Sequence, residues 1–493
     1  MSEKSSYKQI IKSTGIIGGS QVITILVGIA STKIVAILLG PVGVGIAGIY
    51  QATLDLIRSA TGFGIEFSAV RDVAEAAGTE DNKRISRIIT VLRRWAFFTG
   101  LLGLVIGVAF CRQLSMYAFG NESYAAGIAI LSVTLLIAAI SEGQGALLQG
   151  MRRIGDLAKT HIYGVVLGFI ISMPLYYLFG LRGIVPALAL NAVAGLLLTW
   201  WFARKVNVEK APLSATETFR EGLGMAKLGF FTVITGLFNI GAMYLVRIYI
   251  SNKGGLESVG VFLAAWKLSS MYLGSVLGAM AADYYPRLSA VNKDNTAVNK
   301  LVNEQVEITV LVASPLIIGM ITFVHVLVPL FYSGKFVQAV TVLQWQLMGD
   351  FLKILSWPLG FIILAKARGG VFIFSEFLGN FSYLLFVFLG WDLFGLEVAG
   401  MAFLGMYVLY LFVVYFLVLR LSGFVFMSCN LRHVIVYGCL IFAAFCDVRF
   451  MSGFPLYFIG VAIALLAATY SYYRLNRIFD VIGFVREKLS KFF

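Results

Sequence analysis

Charge is what this sequence has least of. Only 13% of its 493 residues are Asp, Glu, Lys or Arg, against roughly 25% in a soluble globular chain. The hydrophobic set supplies 59%, and mean hydropathy is +0.88. A water-soluble chain of this length needs far more polar surface to cover its core, so the deficit excludes an ordinary soluble enzyme and makes lipid the solvent for most of the chain. Cysteine and histidine are scarce too. Cys111, Cys429, Cys439 and Cys446 contain no CxxC pair, and His161, His325 and His433 stand far apart. We therefore expect neither a disulfide scaffold nor a metal site.

What is present is a succession of apolar runs. A spanning helix needs about 20 mostly apolar residues, and fourteen such runs are legible, at 10–38, 43–69, 95–111, 124–148, 160–180, 183–203, 228–250, 258–285, 308–331, 337–364, 371–390, 398–419, 433–447 and 454–473. The expected fold is an all-α integral membrane protein of about fourteen transmembrane helices. The net charge of +14 would suggest nucleic acid in a soluble chain. Here most cations fall in short polar segments between runs, as in cytoplasmic loops, and no nucleic-acid partner is expected. Taken alternately, one set of loops holds nearly all of them, including Lys4, Lys8, Arg84, Arg87, Arg152, Arg153, Arg204, Lys366, Arg368, Arg420 and Arg474. The other holds Arg112, Arg182, Lys253, Lys335 and Arg449. That asymmetry predicts an even number of spans with both termini cytoplasmic.

The chain also repeats itself at an offset of about 215 residues. Gly43-Val44-Gly45-Ile46 lies over Ser258-Val259-Gly260-Val261, and Gln149-Gly150-Met151-Arg152-Arg153 lies over Leu364-Ala365-Lys366-Ala367-Arg368. Two six-helix lobes are expected, over 1–210 and 211–425, with two further helices in 426–493. Six spans return the chain to its starting side, so the repeats have parallel topology, and repeats of that kind commonly enclose a central site.

Ionisable groups at membrane depth cost roughly 2.5–3.5 kcal/mol on insertion scales and should face a partner or a watery cavity. The run at 43–69 carries Gln51, Asp55, Arg58 and Glu66 in a narrow stripe at helical spacing, and the run at 337–364 repeats the device with Gln346, Asp350 and Lys353. Lys33, Arg247 and Lys267 lie toward the outside. Glu142 and Asp283, with Glu66, lie toward the cytoplasm. The bland reading pairs Asp55 with Arg58 and Asp350 with Lys353, three apart on one helix. The functional reading makes Lys33, Arg58, Arg247, Lys267 and Lys353, with Gln51 and Gln346, the lining of a translocation cavity. It gives Asp55, Glu66, Glu142, Asp283 and Asp350 the work of ion coupling or gating. The glycines of Gly43-Val44-Gly45-Ile46-Ala47-Gly48 match a dinucleotide fingerprint but lack its preceding strand, and they read as a tight loop opening a membrane helix.

Several strings resemble a known family. Lys33 leading into Leu39-Gly40-Pro41-Val42-Gly43-Val44-Gly45, then Trp345-Gln346-Leu347-Met348-Gly349-Asp350-Phe351-Leu352-Lys353, then Ala365-Lys366-Ala367 with Glu376 beyond, resemble the Wzx-type flippases of the multidrug/oligosaccharidyl-lipid/polysaccharide exporter superfamily. The resemblance implies two six-helix lobes in a V around a central cavity, working by alternating access in the bacterial inner membrane. It implies an undecaprenyl-pyrophosphate-linked oligosaccharide, an O-antigen repeat unit or its kin, as cargo. It also implies no cofactor beyond a coupling H+ or Na+, membrane lipid as surroundings, a polysaccharide polymerase and a chain-length regulator as partners, and a monomer. A drug exporter of the same superfamily is the first rival, although such a site should favour unpaired acids over cations. A membrane glycan polymerase or ligase is the second. It is disfavoured because no outward loop exceeds about a dozen residues, short of the length at which loops acquire sites of their own, so no catalytic residues are expected.

Overall fold

The computed structural model describes residues 3–78, 82–206, 212–451 and 454–478; the side chains of residues 3–23, 66–67, 78, 82, 225, 227–232, 275, 279, 282–283, 454–456 and 478, Glu66 and Asp283 among them, lie outside that description. Among the described residues the chain is helical, without strands. The helices are α1 (Glu3–Thr61), α2 (Ile65–Gly78), α3 (Asn82–Ala109), α4 (Cys111–Phe119), α5 (Ala125–Gly150), α6 (Ile154–Phe179), α7 (Ile184–Ala203) and α8 (Ala215–Ala290). They continue with α9 (Asn295–Thr322), α10 (Val324–Phe331), α11 (Ala339–Ala365), α12 (Gly369–Phe394), α13 (Val398–Ser422), α14 (Ser428–Phe450) and α15 (Phe454–Ile478). Among the described residues ten stretches are long and apolar enough to cross a membrane. The protein is an all-α, multi-pass membrane protein.

Four of those ten stretches, Thr24–Thr61, Ile154–Ala203, Val233–Gly278 and Gly369–Ser422, are each 38 to 54 residues long, well beyond the ~20 of one crossing. Each is interrupted by a glycine of positive φ: Gly40, Gly180, Gly255 and Gly395. A count of fourteen crossings requires dividing the chain at these glycines. Two helices begin on side-chain caps in the polar loops. Asp294 accepts from the backbone N–H groups of Thr296 and Ala297 at the head of α9, and Ser214 with Glu217 forms a reciprocal capping box at the head of α8. The Ser214 backbone N–H and hydroxyl, helped by Arg87, hold the Glu217 carboxyl below its usual range.

The backbone itself repeats. Gly40 and Gly255 have φ of 64° and 77°, and Arg152 and Ala367 each have φ of 54°. Gly180 and Gly395 have φ of 54° and 56°. Members of each pair stand 215 positions apart in the numbering. The hydrogen bonds follow suit. The Gly180 N–H bonds the Tyr176 carbonyl and the Gly395 N–H that of Trp391. Arg153 bonds back to Leu148 and Arg368 to Ile363. Arg152 and Ala367 are non-glycine residues in the left-handed region, a strained conformation retained at both copies of one turn.

By contact density the chain forms two compact units. One comprises residues up to Gly260 with Phe331–Ser333, the other Val261–Leu330 with everything from Gly334 onward. In the first, α3 and α2 pack on α5, α7 lies against α5 and α6, and α6 lies on α1. In the second, α11 packs against α13 and α9, while the appended helices α14 and α15 both lie on α9.

Two expectations from sequence need correction. The run at 43–69 is not one helix. α1 ends at Thr61, and Phe63 and Gly64 take φ of 51° and 65° before α2 begins. Backbone turned into the left-handed region cannot continue a right-handed helix, so Glu66 does not extend the Gln51–Asp55–Arg58 stripe. The run at 308–331 likewise breaks at Phe323, which separates α9 from α10.

Within the first unit the helix segments that follow Gly40 and Gly255 touch backbone to backbone. A Cβ on Gly45 would collide with the Leu256 carbonyl oxygen, and one on Gly260 with the Pro41 carbonyl oxygen. The two contacts are reciprocal, since Pro41 and Leu256 stand 215 positions apart like the glycines that precede them. Gly45→Ala and Gly260→Ala should each cost about 1–3 kcal/mol by overpacking and lower the melting temperature of the purified protein. Gly28→Ala, whose Cβ meets nothing within 4 Å, is the control, with an unchanged or slightly higher melting temperature expected. Equal melting temperatures for all three variants would contradict the close approach.

Candidate functional site

In the first unit the segment of α1 after Gly40 presents Gln51, Asp55 and Arg58 at steps of four and three, which stacks them on one face. Gln51 Nε2 donates to Asp55 Oδ1 at 3.1 Å. Arg58 Nη2 meets the same oxygen at 3.1 Å, and its Nη1 reaches Glu142 Oε1 on α5 at 2.6 Å. Glu142, which sequence spacing left without a partner, is thus paired with Arg58. One guanidinium holds two carboxylates from two helices, a geometry suited to its rigid fork of donors and not to a lysine.

This cluster is not sealed. Arg58, Asp55 and Glu142 keep 44%, 30% and 29% of their side-chain surface accessible. Asp55 and Arg58 line two adjoining cavities of about 290 and 230 Å³. Glu142, Thr61 and Thr99 contribute to the larger, and Gln51, Thr134 and Asn191 to the smaller. Elsewhere in the unit, Arg247 Nη1 donates to the Gly48 carbonyl at 3.4 Å, and the Thr53 hydroxyl meets the Tyr244 hydroxyl at 3.3 Å. These contacts fasten the first part of α8 to the stripe-bearing segment of α1. Lys33 is half-buried on α1.

The second unit uses the same spacing differently. Asp350 on α11 is fully buried and accepts from Ser269 Oγ at 2.6 Å and from the Tyr272 hydroxyl at 3.1 Å, both on α8. It does not make the expected ion pair with Lys353. Both hydroxyls donate to Oδ2, and Oδ1 is buried without a hydrogen-bond partner, while the Lys353 ammonium lies 5.9 Å above the ring of Tyr407 and within electrostatic reach of Asp350 and Glu376. Glu376 in turn accepts from the Tyr410 hydroxyl at 2.8 Å. Gln346 is fully buried, and neither atom of its amide has a hydrogen-bond partner. Lys267 is exposed. Glu66 and Asp283 fall outside the described side chains.

Sequence reading missed Ser269, Tyr272, Tyr407 and Tyr410, since a hydroxyl on another helix leaves no trace in the spacing of α11. It also missed a cluster of Glu307, Cys429 and His433. Its one sequence signal is the spacing of four between Cys429 and His433, which a search for CxxC motifs or paired histidines passes over.

Residues 34–341, more than half of the chain, match the family described as polysaccharide biosynthesis protein. A protein of Escherichia coli (strain K12) named lipid III flippase is 23% identical over 378 residues, which are 76% of this chain and 88% of that relative. Two solved structures share the fold. The lipid II flippase MurJ in an inward closed conformation has a TM-score of 0.69 at 12% identity, with 94% of this chain and 98% of that chain covered. An inward-facing multidrug resistance MATE family transporter of the MOP superfamily has a TM-score of 0.69 at 15% identity, with 81% and 94% covered.

The two-carboxylate bridge makes a specific forecast for transport of the native cargo. Arg58→Lys and Arg58→Ala should each lower the rate by about tenfold or more, because neither replacement spans Asp55 and Glu142. Melting temperature should move little, since a partly exposed ion pair contributes only about 0–1 kcal/mol. A lysine variant that transports at the wild-type rate would show that the fork geometry is not used.

Proposed function

The chain belongs to the polysaccharide biosynthesis protein family, and from that premise we propose that it is a flippase for an undecaprenyl-pyrophosphate-linked oligosaccharide, an O-antigen or related surface-polysaccharide unit. It carries the headgroup from the cytoplasmic to the periplasmic leaflet of the inner membrane by alternating access. The observation that carries this reading is the match that runs along 88% of a relative named lipid III flippase. In this reading the repeats 1–210 and 211–425 are the two lobes, 426–493 is an appended pair, both termini face the cytoplasm, and a polymerase and chain-length regulator consume the product.

The geometry of the first unit supports a coupling mechanism. Arg58 is already held by Asp55 and Glu142, so a pyrophosphate can take the guanidinium only if one carboxylate releases it. A proton or Na+ arriving at Glu142 or Asp55 removes one negative charge and frees one arm of the fork for the phosphate oxygens, a charge-assisted and bidentate pairing. When the cargo leaves, the carboxylate loses its ion and recaptures Arg58. Coupling ion and cargo thus alternate through one side chain. Lys33, Arg247, Lys267 and Lys353 are the other cations available to the headgroup, Gln51 and Gln346 are partners for sugar hydroxyls, and Glu66, Asp283 and Asp350 are further candidates for gating.

The test is flipping of a lipid-linked oligosaccharide in vesicles under an imposed H+ or Na+ gradient. Wild type should be stimulated, and Glu142→Gln and Asp55→Asn should flip without stimulation. Gradient dependence unchanged in both variants would remove the coupling. In cells, loss of the protein should abolish surface polysaccharide. A rise in drug sensitivity with normal surface glycan would instead make it a drug exporter.

A further inference from the structure

The structure assigns a Zn2+ site to Glu307, Cys429 and His433, placed where the two C-terminal helices meet α9. Cys429 and His433 stand four apart on α14, which puts both side chains on one face of the helix. Glu307 comes from α9. Cys429 Sγ lies 3.3 Å from His433 Nε2 and 3.5 Å from Glu307 Oε1, and His433 Nε2 lies 3.2 Å from the same oxygen. Tetrahedral Zn2+ with Zn–S near 2.3 Å and Zn–N and Zn–O near 2.0 Å separates its ligand atoms by about 3.3–3.6 Å. The three donors therefore outline one face of such a tetrahedron.

The surroundings fit a metal as well as the donors do. His433 is buried, and its Nδ1 lies 2.9 Å from the Tyr470 hydroxyl on α15. That contact fixes the ring and leaves Nε2 for the cluster, as outer partners of metal-binding histidines do. Arg474 Nη2 sits 2.8 Å from the Cys429 sulfur and 3.3 Å from Glu307 Oε1, so α15 reaches two of the three donors. Thiolate, imidazole and carboxylate together select Zn2+ among the common cations. Glu307 keeps 22% of its side-chain surface accessible, so an ion could reach the cluster from that side.

The frame that presents these ligands does not depend on the ion. Asn303, one turn before Glu307, accepts from the Met427 backbone N–H at 2.8 Å and donates to the Val425 carbonyl at 3.0 Å. Asn430 Nδ2 donates to the Asn303 carbonyl at 2.9 Å. These bonds dock the start of α14 on α9 by themselves, so ligand variants keep the fold, and the metal acts as a staple that adds α15 through Tyr470 and Arg474.

The full-length protein in lipid nanodiscs, stripped with a chelator and reloaded, tests this. We expect one Zn2+ per chain by elemental analysis, a raised melting temperature on reloading, and with Co2+ a thiolate-to-metal charge-transfer band and the visible bands of a tetrahedral site. Cys429→Ser should remove the charge-transfer band although Cys439 and Cys446 remain. Tyr470→Phe should weaken Zn2+ binding about tenfold to hundredfold. Wild-type protein that takes up no Zn2+, or a Co2+ spectrum that Cys429→Ser leaves unchanged, would overturn the site and reduce the cluster to a hydrogen-bonded network.

Discussion

A charge within a bilayer must meet a counter-charge, a set of dipoles or water, because leaving it alone costs several kcal/mol. This constraint shapes the protein more than any single apolar contact. Several charges in its spans meet a partner brought by a second helix. Arg58 meets Asp55 and Glu142, Asp350 meets Ser269 and Tyr272, and Glu376 meets Tyr410. The Arg58–Glu142, Asp350–Ser269 and Glu376–Tyr410 contacts each join two helices. The polar groups thereby specify which helices are neighbours, while the apolar faces supply packing of low specificity.

The two repeats have kept their backbone and diverged in chemistry. Turn for turn, Gly40 answers to Gly255, Arg152 to Ala367 and Gly180 to Gly395, and the carbonyls that receive the helix-ending N–H groups correspond as well. The polar stripes do not correspond in use. In the first unit Gln51, Asp55 and Arg58 border open cavities, and a partly wet ion pair can change partners at small cost. In the second, Asp350 is sealed and held by hydroxyls, and exchanging its partners would mean exposing a desolvated carboxylate.

Much of this was legible in the sequence. Long apolar runs dictate membrane helices, and the strings at Gly43–Ile46 and Ser258–Val261 carry the repeat because a close backbone approach demands glycine at Gly45 and Gly260. Spacing also found the Asp55–Arg58 pair. It failed wherever the deciding atom lay on another helix. Glu142 was placed by depth alone, and its bond to Arg58 comes from the packing of α5. The spacing of three left Asp350 either paired with Lys353 or apart from it, and could not show that Ser269 and Tyr272 on α8 donate to the carboxylate. The break at Phe63–Gly64 was hidden because Phe63 takes a positive φ that its side chain disfavours. Cys429 and Glu307 are 122 positions apart in sequence, so only the docking of α14 on α9 brings them together.

The claim on which the account turns is that Arg58 is shared in competition between the protein's carboxylates and an anionic headgroup. The direct measurement is the affinity of the purified protein for a short-chain polyprenyl pyrophosphate at neutral pH, in wild type, Glu142→Gln, and Glu142→Gln combined with Arg58→Ala. Removing one competing carboxylate should tighten binding by about tenfold, or about 1.4 kcal/mol, and the added Arg58→Ala should abolish that gain. Equal affinity in wild type and Glu142→Gln, or a gain that survives the loss of Arg58, would contradict it.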